Sequence, residues 1–301
     1  MEINNKYILE IKKDSILSIE MIKKDLVLSY ILQELNFSNL IFKGGTLLSK
    51  GHLKYHRLSE DLDFSYILPE SNSKTQKNKF IKEFIKKEFL PKLLKISQKY
   101  GLDFKNDMEN NSSNRYCPVK QSDFLYRFNI YLNEKEINPI KIEINFLDKC
   151  YFDPKKIKLI HINPKSKYLI YPLKNCEILS YDIKEVILEK FRAILTREII
   201  QERDFFDLFL IQKEFNEVFQ LQINLLILKL KDSRLYFKEK KKLISLIGNF
   251  EQKFEKKNIV LSEIKDMTLI SFNEKEYSLF VEEVMSFIYK NIKNIVKNIN
   301  E

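Results

Sequence analysis

The hydrophobic positions of this chain repeat with two different periods. One is the spacing of an amphipathic helix, in which apolar side chains recur every three or four residues; the other is the two-residue alternation of a half-buried strand. In the first third of the sequence, segments of the two kinds follow one another. Helices are expected at residues 15–36, with Asp14 or Ser15 as the N-cap, at 47–56 and at 74–100, and short strands at 40–42 and 62–66.

Strand-like alternation dominates residues 101–147, in the segments LDFKND, FLYRFNIYL and PIKIEINFL. A connector with one strand at 168–171 is expected over residues 148–180. Helices are then expected at residues 181–200, 204–215, 218–230, 235–254 and 276–298. This segregation predicts an α+β fold, with a core of mixed or antiparallel sheet flanked by helices over residues 1–175 and an α-helical bundle domain over 176–301.

Composition and charge add only a little to this prediction. The 301 residues carry 52 Lys and Arg against 42 Asp and Glu, and the net charge of +10 permits an RNA or DNA partner. Because 45 of the 52 basic residues are Lys, this charge reflects a general lysine bias and has little weight alone. The three Cys, without CxxC spacing, indicate neither a disulfide framework nor a zinc site. No segment resembles a signal peptide or a membrane span, so a cytoplasmic protein without a membrane partner is expected.

Rare residue types gather in the segments FKGGT, at 42–46, and RLSEDLDF, at 57–64. Two Gly at a strand end let the backbone approach a ligand, and the start of a helix offers N–H groups to a phosphate. Asp61 and Asp63 flank Leu62, so alternation places both carboxylates on one face of a strand. A lone DxD is more often a solvated strand end. Beside a GG turn it indicates a site for Mg²⁺, which prefers carboxylate oxygens together with substrate phosphates.

The segments KGGTLLS and RLSEDLDFS resemble the DNA polymerase beta-like nucleotidyltransferase superfamily. The resemblance is specifically to the AbiEii/AbiGii (MenT-like) toxins of bacterial toxin–antitoxin and abortive-infection systems. The family pattern R-x-S-x-D-x-D-F matches Arg57, Ser59, Asp61, Asp63 and Phe64. In the helical half, a K-x-x-A-x-x-x-R element matches Lys190, Ala193 and Arg197, and an R-D-x-x-D-L element matches Arg203, Asp204, Asp207 and Leu208.

The resemblance implies a nucleotidyltransferase core with one or two Mg²⁺, which takes an NTP as substrate and releases pyrophosphate. It implies that Asp61 and Asp63 bind the metal and that they act in catalysis with Lys190 and Asp207. The nucleotide-binding residues would be Lys43, Gly44, Gly45, Thr46, Arg57, Ser59, Arg203 and Asp204. The residue types agree with this chemistry, because Lys and Arg stabilise the charge of a triphosphate and of the leaving pyrophosphate.

A third metal ligand is less clear from the sequence. Glu143 lies on one face of a predicted strand with Lys141 and Asn145, where it is the candidate, although the polar outer face of a half-buried strand explains it equally well. His52 and His56 are four residues apart on a predicted helix. With no third nitrogen or sulfur ligand nearby in the sequence, they are expected on the helix surface or facing RNA.

The resemblance also implies the acceptor. In these toxins it is tRNA, which receives nucleotides at its 3′ end so that translation stops, and a cognate antitoxin is encoded nearby. The system would then be a toxin–antitoxin or phage-defence system. Two alternatives stay open: transfer to a hydroxyl of a protein or of a small molecule such as an antibiotic, and a non-catalytic nucleotide- or RNA-binding protein with the same fold.

Overall fold

The computed structural model describes residues 5–13, 15, 17–35, 37–68, 73–108, 115–118, 124–162, 176–255, 264–265 and 268–301. The chain forms two compact units. Unit 1 comprises Met1–Gly51, Ser59–Phe146 and Lys156–Ser180, and unit 2 comprises His52–Leu58, Leu147–Lys155 and Tyr181–Glu301. The α+β class is confirmed. The two units interleave along the chain, whereas the domain division at residue 175 is contiguous and stays a prediction.

Unit 1 is built on a six-stranded mixed sheet. Its helices are α1 (Asn5–Lys13), α2 (Ile19–Glu34), α3 (Gly44–Leu47), α4 (Lys74–Phe84) and α5 (Leu90–Tyr100). A π-helical turn continues α3 over Leu48–His52, and another joins α4 to α5 over Ile85–Phe89. The strands are β1 (Leu40–Lys43), β2 (Leu62–Tyr66), β3 (Leu125–Ile130), β4 (Ile140–Asn145), β5 (Lys155–Leu159) and β6 (Cys176–Ser180).

The strands lie in the order β3-β4-β2-β1-β6-β5. Two neighbouring pairs are antiparallel, β1 with β2 and β3 with β4, and two are parallel, β2 with β4 and β1 with β6. The strands that carry the predicted carboxylates, β2 and β4, are therefore adjacent near the middle of the sheet. Residues of the same parity in these two strands share a face, because side chains alternate along each strand.

One face of the sheet is apolar and packs on the helix formed by α4, its π-helical turn and α5, residues 74–100. The ring of Tyr66 at the end of β2 contacts those of Phe80 and Phe84, and Phe128 of β3 contacts Phe89. Phe64 is fully buried on this face. Since Asp63 has the opposite parity to Phe64 and Tyr66, its carboxylate belongs to the other, polar face.

Several boundaries differ from those expected. Helix α2 begins after Ser18, whose Oγ accepts the N–H of Met21, so the prediction of Ser15 as the N-cap is wrong. Ser15 Oγ accepts the N–H of Leu17 instead, which closes a short turn before the helix. Asp14, the other candidate, lies outside the described residues. The helix expected over residues 47–56 begins earlier, at Gly44, and ends at His52.

Two strand predictions also differ from the structure. LDFKND does not form a strand; among the described residues, it pairs with the sheet region through a single bridge between Asp103 and Tyr131. The expected connector instead contributes β5 and β6, and β6 pairs in parallel with β1. Strands β5 and β6 have only five residues each, too few for the alternation of apolar and polar residues to be recognised in the sequence. The strand expected at residues 168–171 lies outside the described residues.

Unit 2 is helical. Its elements are α6 (Ile183–Thr196), α7 (Glu202–Phe215), a 3₁₀ turn (Val218–Gln220), α8 (Ile223–Lys231), α9 (Arg234–Gly248), α10 (Phe250–Glu255) and α11 (Glu274–Asn300). Asp182 caps α6 by accepting the N–H of Lys184, and Asn273 caps α11 in the same way. Within the described ranges, no helix is both long enough and apolar enough to cross a bilayer.

Buried charges explain why an earlier segment, residues 147–155, belongs to unit 2. Glu185 of α6 is fully buried and accepts the N–H groups of Tyr151 and Phe152. Lys229 of α8 lies 2.7 Å from Glu185 and donates to the carbonyl oxygen of Lys149. Because these charges would be unfavourable in the interior without partners, the segment is tied to the helices by its own backbone.

Candidate active site

The predicted metal-binding carboxylates lie on the polar face of the sheet in unit 1. Asp63 in β2 and Glu143 in β4 are direct partners in the parallel register of these strands. Both residues are half-buried. Adjacent strands are only about 4.8 Å apart, so two ionised carboxylates in this position repel each other unless a cation is near.

Arg127 supplies one such cation, and the sequence did not single it out. This residue of β3 is the register partner of Glu143, and its Nε and Nη2 both donate to Oε1 of Glu143. A signal was present in the sequence. Arg127 is one of only seven Arg in the chain, and it interrupts an apolar alternating segment that ends close to the predicted strand of Glu143.

The glycine turn and the DxD strand form one local structure. Lys43, at the end of β1, is the register partner of Asp63. Gly44 follows with a φ of +81°, and a Cβ built on it would lie 2.2 Å from Oδ2 of Asp63. Thr46, which is buried, donates its hydroxyl to the carbonyl oxygen of Asp61. The absence of a side chain at Gly44 therefore leaves the room that the Asp63 carboxylate occupies.

The other residues predicted for this site are nearby in the same unit. Gly45 lies in the first turn of the helical segment, where N–H groups have no partner within the helix. Ser59 and Asp61 precede β2 and are half-buried. Unit 1 thus brings together the predicted residues of the glycine turn, the DxD segment and Glu143. The roles assigned to them stay predictions.

These residues fit Mg²⁺. Among the described residues, no three His, Cys, Asp or Glu side chains are grouped closely enough to hold a metal ion by themselves. Mg²⁺ does not need such a cage, because it is typically bound by one or two carboxylates, with substrate phosphates and water as the other ligands. The space opposite Gly44 accommodates the Asp63 carboxylate, and Asp61 and Glu143 are further hard oxygen donors.

Except for Arg203, the predicted residues of the helical half form a second group, within unit 2, around Asp207 of α7. Asp207 is fully buried, and Arg57 binds both of its oxygens, with Nε 2.7 Å from Oδ1 and Nη2 2.8 Å from Oδ2. Lys190 of α6 lies 2.5 Å from Oδ2 of Asp207 and 3.0 Å from Oδ1 of Asp204. Arg197 also pairs with Asp204. We call these five residues the buried ionic cluster.

His56 joins the cluster, contrary to the surface position expected. It is 2% exposed, and its Nε2 donates to Oδ1 of Asp207 over 3.0 Å. Burial lowers the pKa of His56 and the hydrogen bond to Asp207 only partly opposes this, so the ring is neutral at physiological pH. The spacing to His52 misled the prediction, because the helix ends at His52. Lys54 and Tyr55 then adopt positive φ values of 46° and 63°.

Electrostatics keep Asp207 ionised. Burial by itself would raise the pKa of its carboxyl, but the charges of Arg57 and Lys190 and the hydrogen bonds from Arg57 and His56 outweigh burial. The pKa of Asp207 therefore lies well below the usual range of Asp. Arg203 is not part of the cluster, since its side chain is exposed whereas the neighbouring Asp204 is buried.

Comparisons with known proteins place the chain in a family. Residues 26–290 match the family model of the nucleotidyl transferase AbiEii toxin of type IV toxin–antitoxin systems. No curated protein gives a significant match. Among solved structures, MenT4, a nucleotidyltransferase toxin from Mycobacterium tuberculosis H37Rv, is 12% identical with a TM-score of 0.53, over 97% of this chain and 92% of that chain.

Two Helicobacter pylori structures also match over most of their length. JHP933 is 18% identical with a TM-score of 0.45, over 94% of this chain and 98% of that chain. A putative nucleotidyltransferase is 19% identical with a TM-score of 0.44, over 93% and 99% of the two chains. At these identities, the likeness to MenT4 concerns the fold alone. The family match covers most of the sequence, and the chain therefore belongs to the AbiEii family of nucleotidyltransferase toxins.

Proposed function

We propose that this chain is an Mg²⁺-dependent toxin that transfers NMP from an NTP to the 3′ end of tRNA, and so blocks translation in the cytoplasm. In this reaction a 3′-hydroxyl oxygen of the RNA attacks the α-phosphate. The new P–O bond forms as the bond to pyrophosphate breaks, and the hydroxyl proton passes to water. Such transfers depend mostly on positioning and on neutralising charge.

The observation that carries this proposal is the contact of Gly44 with Asp63. Gly44 has a positive φ and lies directly against the Asp63 carboxylate. A turn suited to binding phosphate is therefore adjacent to a carboxylate suited to binding Mg²⁺. Asp61, Asp63 and Glu143 would hold Mg²⁺, which neutralises phosphate charge and aligns the attacking oxygen when bound. Thr46 fixes the backbone of Asp61, and Ser59 and the N–H groups of the turn would bind the triphosphate.

In unit 2, we assign Lys190 and the exposed Arg203 to the phosphates of the nucleotide. Asp207 and Asp204 hold the Lys190 ammonium group from two sides. Because Asp207 is fully buried with both oxygens bound, its role in this proposal is to position Lys190 and Arg57 rather than to touch the substrate. Replacing Asp207 by a neutral residue would remove the carboxylate that Arg57 and Lys190 share and leave Lys190 with Asp204 alone.

The direct test incubates the purified protein with Mg²⁺, total tRNA and each of the four labelled NTPs in turn. We expect label at the tRNA 3′ end with at least one NTP, and none on tRNA whose 3′-terminal diol has been oxidised with periodate. Asp63→Asn should abolish transfer, whereas Asp153→Asn, at an exposed position, should not. If none of the four NTPs labels tRNA, the proposal is refuted. Label on a protein or an added small molecule would then identify the other acceptor class.

The family also gives the expected partner. As members of type IV toxin–antitoxin systems, such toxins are opposed by an antitoxin, and we propose that its gene lies beside this one. Co-expression of the neighbouring gene should restore growth to cells that express this chain. Growth arrest that survives Asp61→Ala combined with Asp63→Ala would instead favour a non-catalytic RNA-binding protein.

A further inference from the structure

The helix over residues 74–100 concentrates the positive charge of the whole chain. Nine Lys and two Glu give it a net charge of +7, compared with +10 for all 301 residues. The remaining 274 residues therefore contribute only +3. A lysine-rich composition by itself would spread the charge, so its position on one helix needs a separate explanation.

Helix α11 offers a comparison within the same lysine-rich chain. Like the helix over residues 74–100 it has 27 residues, but its four Lys are balanced by four Glu, and its net charge is zero. Both helices bury one apolar side and expose the other. Length and exposure are thus matched between the two helices. The helix over residues 74–100 differs in having more Lys, nine against four, and fewer Glu, two against four.

The exposed side of this helix carries a row of lysines. Lys79, Lys82 and Lys86 follow the i, i+3, i+7 spacing of a single helix face, and Lys95 continues the exposed side beyond the π-helical turn. We call these four residues the lysine face. In the part of the chain that the structure describes, Lys79, Lys82 and Lys95 form no ion pair, whereas Lys92 and Lys99 are paired with Glu34.

The dimensions suit a nucleic acid. From Lys79 to Lys95 the helix rises about 24 Å at 1.5 Å per residue. Over that length a nucleic-acid duplex presents roughly a dozen phosphate charges, since it carries about one per 1.7 Å of axis. Several lysines can therefore contact phosphates at the same time. Binding of this kind depends on charge and shape and needs no contact with bases, as in the recognition of double-stranded RNA.

The surroundings of the lysine face favour RNA over an acidic protein. None of the exposed large hydrophobic side chains of the described residues lies between 74 and 100. Protein interfaces usually have an apolar or aromatic core inside a polar rim, whereas contacts with phosphates need only positive charge. The buried side of the helix packs on the apolar face of the sheet, opposite to Asp63. The lysine face thus suits the body of an RNA rather than its reacting end.

We infer that the lysine face is a docking surface for the phosphate backbone of the acceptor RNA, an inference that rests on the proposed transfer to tRNA. The four lysines hold the body of the RNA by its phosphates. Affinity and KM for tRNA then depend on them, and the rate of the chemical step at saturating tRNA does not.

The test replaces the four lysines by Gln in the full chain and measures tRNA binding by fluorescence anisotropy across a range of NaCl concentrations. We expect the slope of log affinity against log salt to become shallower by about 3, at roughly 0.7–0.9 for each lost phosphate contact. The matched control replaces Lys275, Lys290, Lys293 and Lys297 of α11 by Gln, which removes the same charge. Its slope should stay within about one unit of the original protein.

Equal changes in the two variants would overturn the inference, because net charge would then explain the binding. A variant with all four positions changed to Arg keeps the charge and should bind tRNA as the original protein does; weak binding by a folded Arg variant also contradicts it. Poly-glutamate added at matched charge should not displace tRNA. If it does so as well as unlabelled tRNA, the surface fits an acidic protein instead.

Kinetics separate this inference from the proposed function. In the Gln variant we expect KM for tRNA to rise at least tenfold with kcat within twofold of the original protein. An unchanged KM, with transfer intact, refutes the docking surface and leaves the proposed function standing. Absence of transfer in the original protein, with tRNA binding that still depends on the lysine face, refutes the proposed function and leaves the docking surface standing.

Discussion

If Gly44 and Asp63 belong to the active site as proposed, replacing Gly44 by Ala should lower activity far more than it lowers stability. The substitution adds a single methyl group at a backbone φ of +81°, where its carbon would lie 2.2 Å from Oδ2 of Asp63 and 3.0 Å from the Cβ and Cγ of that residue. Both the backbone conformation and the carboxylate are therefore affected. Gly101 offers a control, since its φ is +67° and a Cβ there would meet nothing within 4 Å.

The two effects can be estimated separately. An L residue in the left-handed region is less stable by about 1–2 kcal/mol, and this applies to both Gly44→Ala and Gly101→Ala. Only at position 44 must a carboxylate also retreat, by roughly 1 Å, to restore ordinary contact distances of about 3.5 Å. A displacement of that size at a reacting centre lowers the rate on the order of 100-fold, which corresponds to about 2.7 kcal/mol of activation free energy.

Two assays are needed. Urea denaturation should show that the two Ala variants lose similar stability, with an additional loss at position 44 that shrinks when Asp63 is also changed to Ala. Labelled-NMP transfer to tRNA should fall about 100-fold in Gly44→Ala and stay within about twofold in Gly101→Ala. If both variants lose activity in proportion to their stability, or if Gly44→Ala stays fully active, the contact between Gly44 and Asp63 is not what positions the carboxylate.

Three further predictions concern the buried and paired groups. Asp207→Asn should destabilise the protein by about 3–5 kcal/mol in urea, because it removes the charge that the buried Arg57 guanidinium binds and one of the two carboxylates that hold Lys190. Asp153→Asn, at an exposed site, should change stability by less than about 0.5 kcal/mol. Because the pKa of Asp207 in the folded protein lies below that of free Asp, its ionisation stabilises the fold fully above about pH 4, and this stabilisation is lost as pH falls further. The difference in unfolding free energy between the original protein and Asp207→Asn should therefore shrink at low pH, and a difference that is unchanged at pH 2 would contradict this. Arg127→Gln should tighten Mn²⁺ binding several-fold in a titration with nucleotide, since it removes a cation from Glu143, and weaker binding would count against Glu143 as a ligand. Burial raises the pKa of the Cys117 and Cys150 thiols to about 12. Iodoacetamide at pH 8 should therefore alkylate them at least about 100-fold more slowly in the native than in the urea-unfolded protein, as measured by mass spectrometry. Equal alkylation rates in the two states would contradict their burial.

The parts of the fold that the sequence predicts are those with strong local signals. Alternation in FLYRFNIYL and PIKIEINFL predicts β3 and β4, and the long amphipathic patterns predict the helices of unit 2. The sequence does not predict the start of α2 correctly, because Ser15 and Ser18 are equally suitable N-cap residues by type. Tertiary packing decides which serine is used, and a single sequence does not contain that information.

For the candidate active site, the sequence indicates residue types but not their partners. GG and DxD indicate a phosphate turn and a metal site from local chemistry alone. That Asp63 and Glu143 are neighbours depends on the order of strands in the sheet, which no local pattern encodes. The position of Arg57 beside the DxD segment likewise predicts a nucleotide-binding residue. In the structure its guanidinium group binds Asp207, which is distant in the sequence. Its predicted contact with nucleotide stays untested.

The separation between Arg57 and Asp207 also has a consequence for how the protein is made. The two residues are 150 positions apart, and a ribosome adds about 5–20 residues per second, so Arg57 precedes its anchor by roughly 8–30 s. All six strands have been synthesised by Ser180, before α7 begins. A nascent or prematurely terminated chain that ends before α7 therefore contains Asp61 and Asp63 but lacks Asp207, which binds Arg57 just before them in the sequence. We expect fragments that end before α7 to be inactive in nucleotide transfer, so that activity requires a chain long enough to include Asp207.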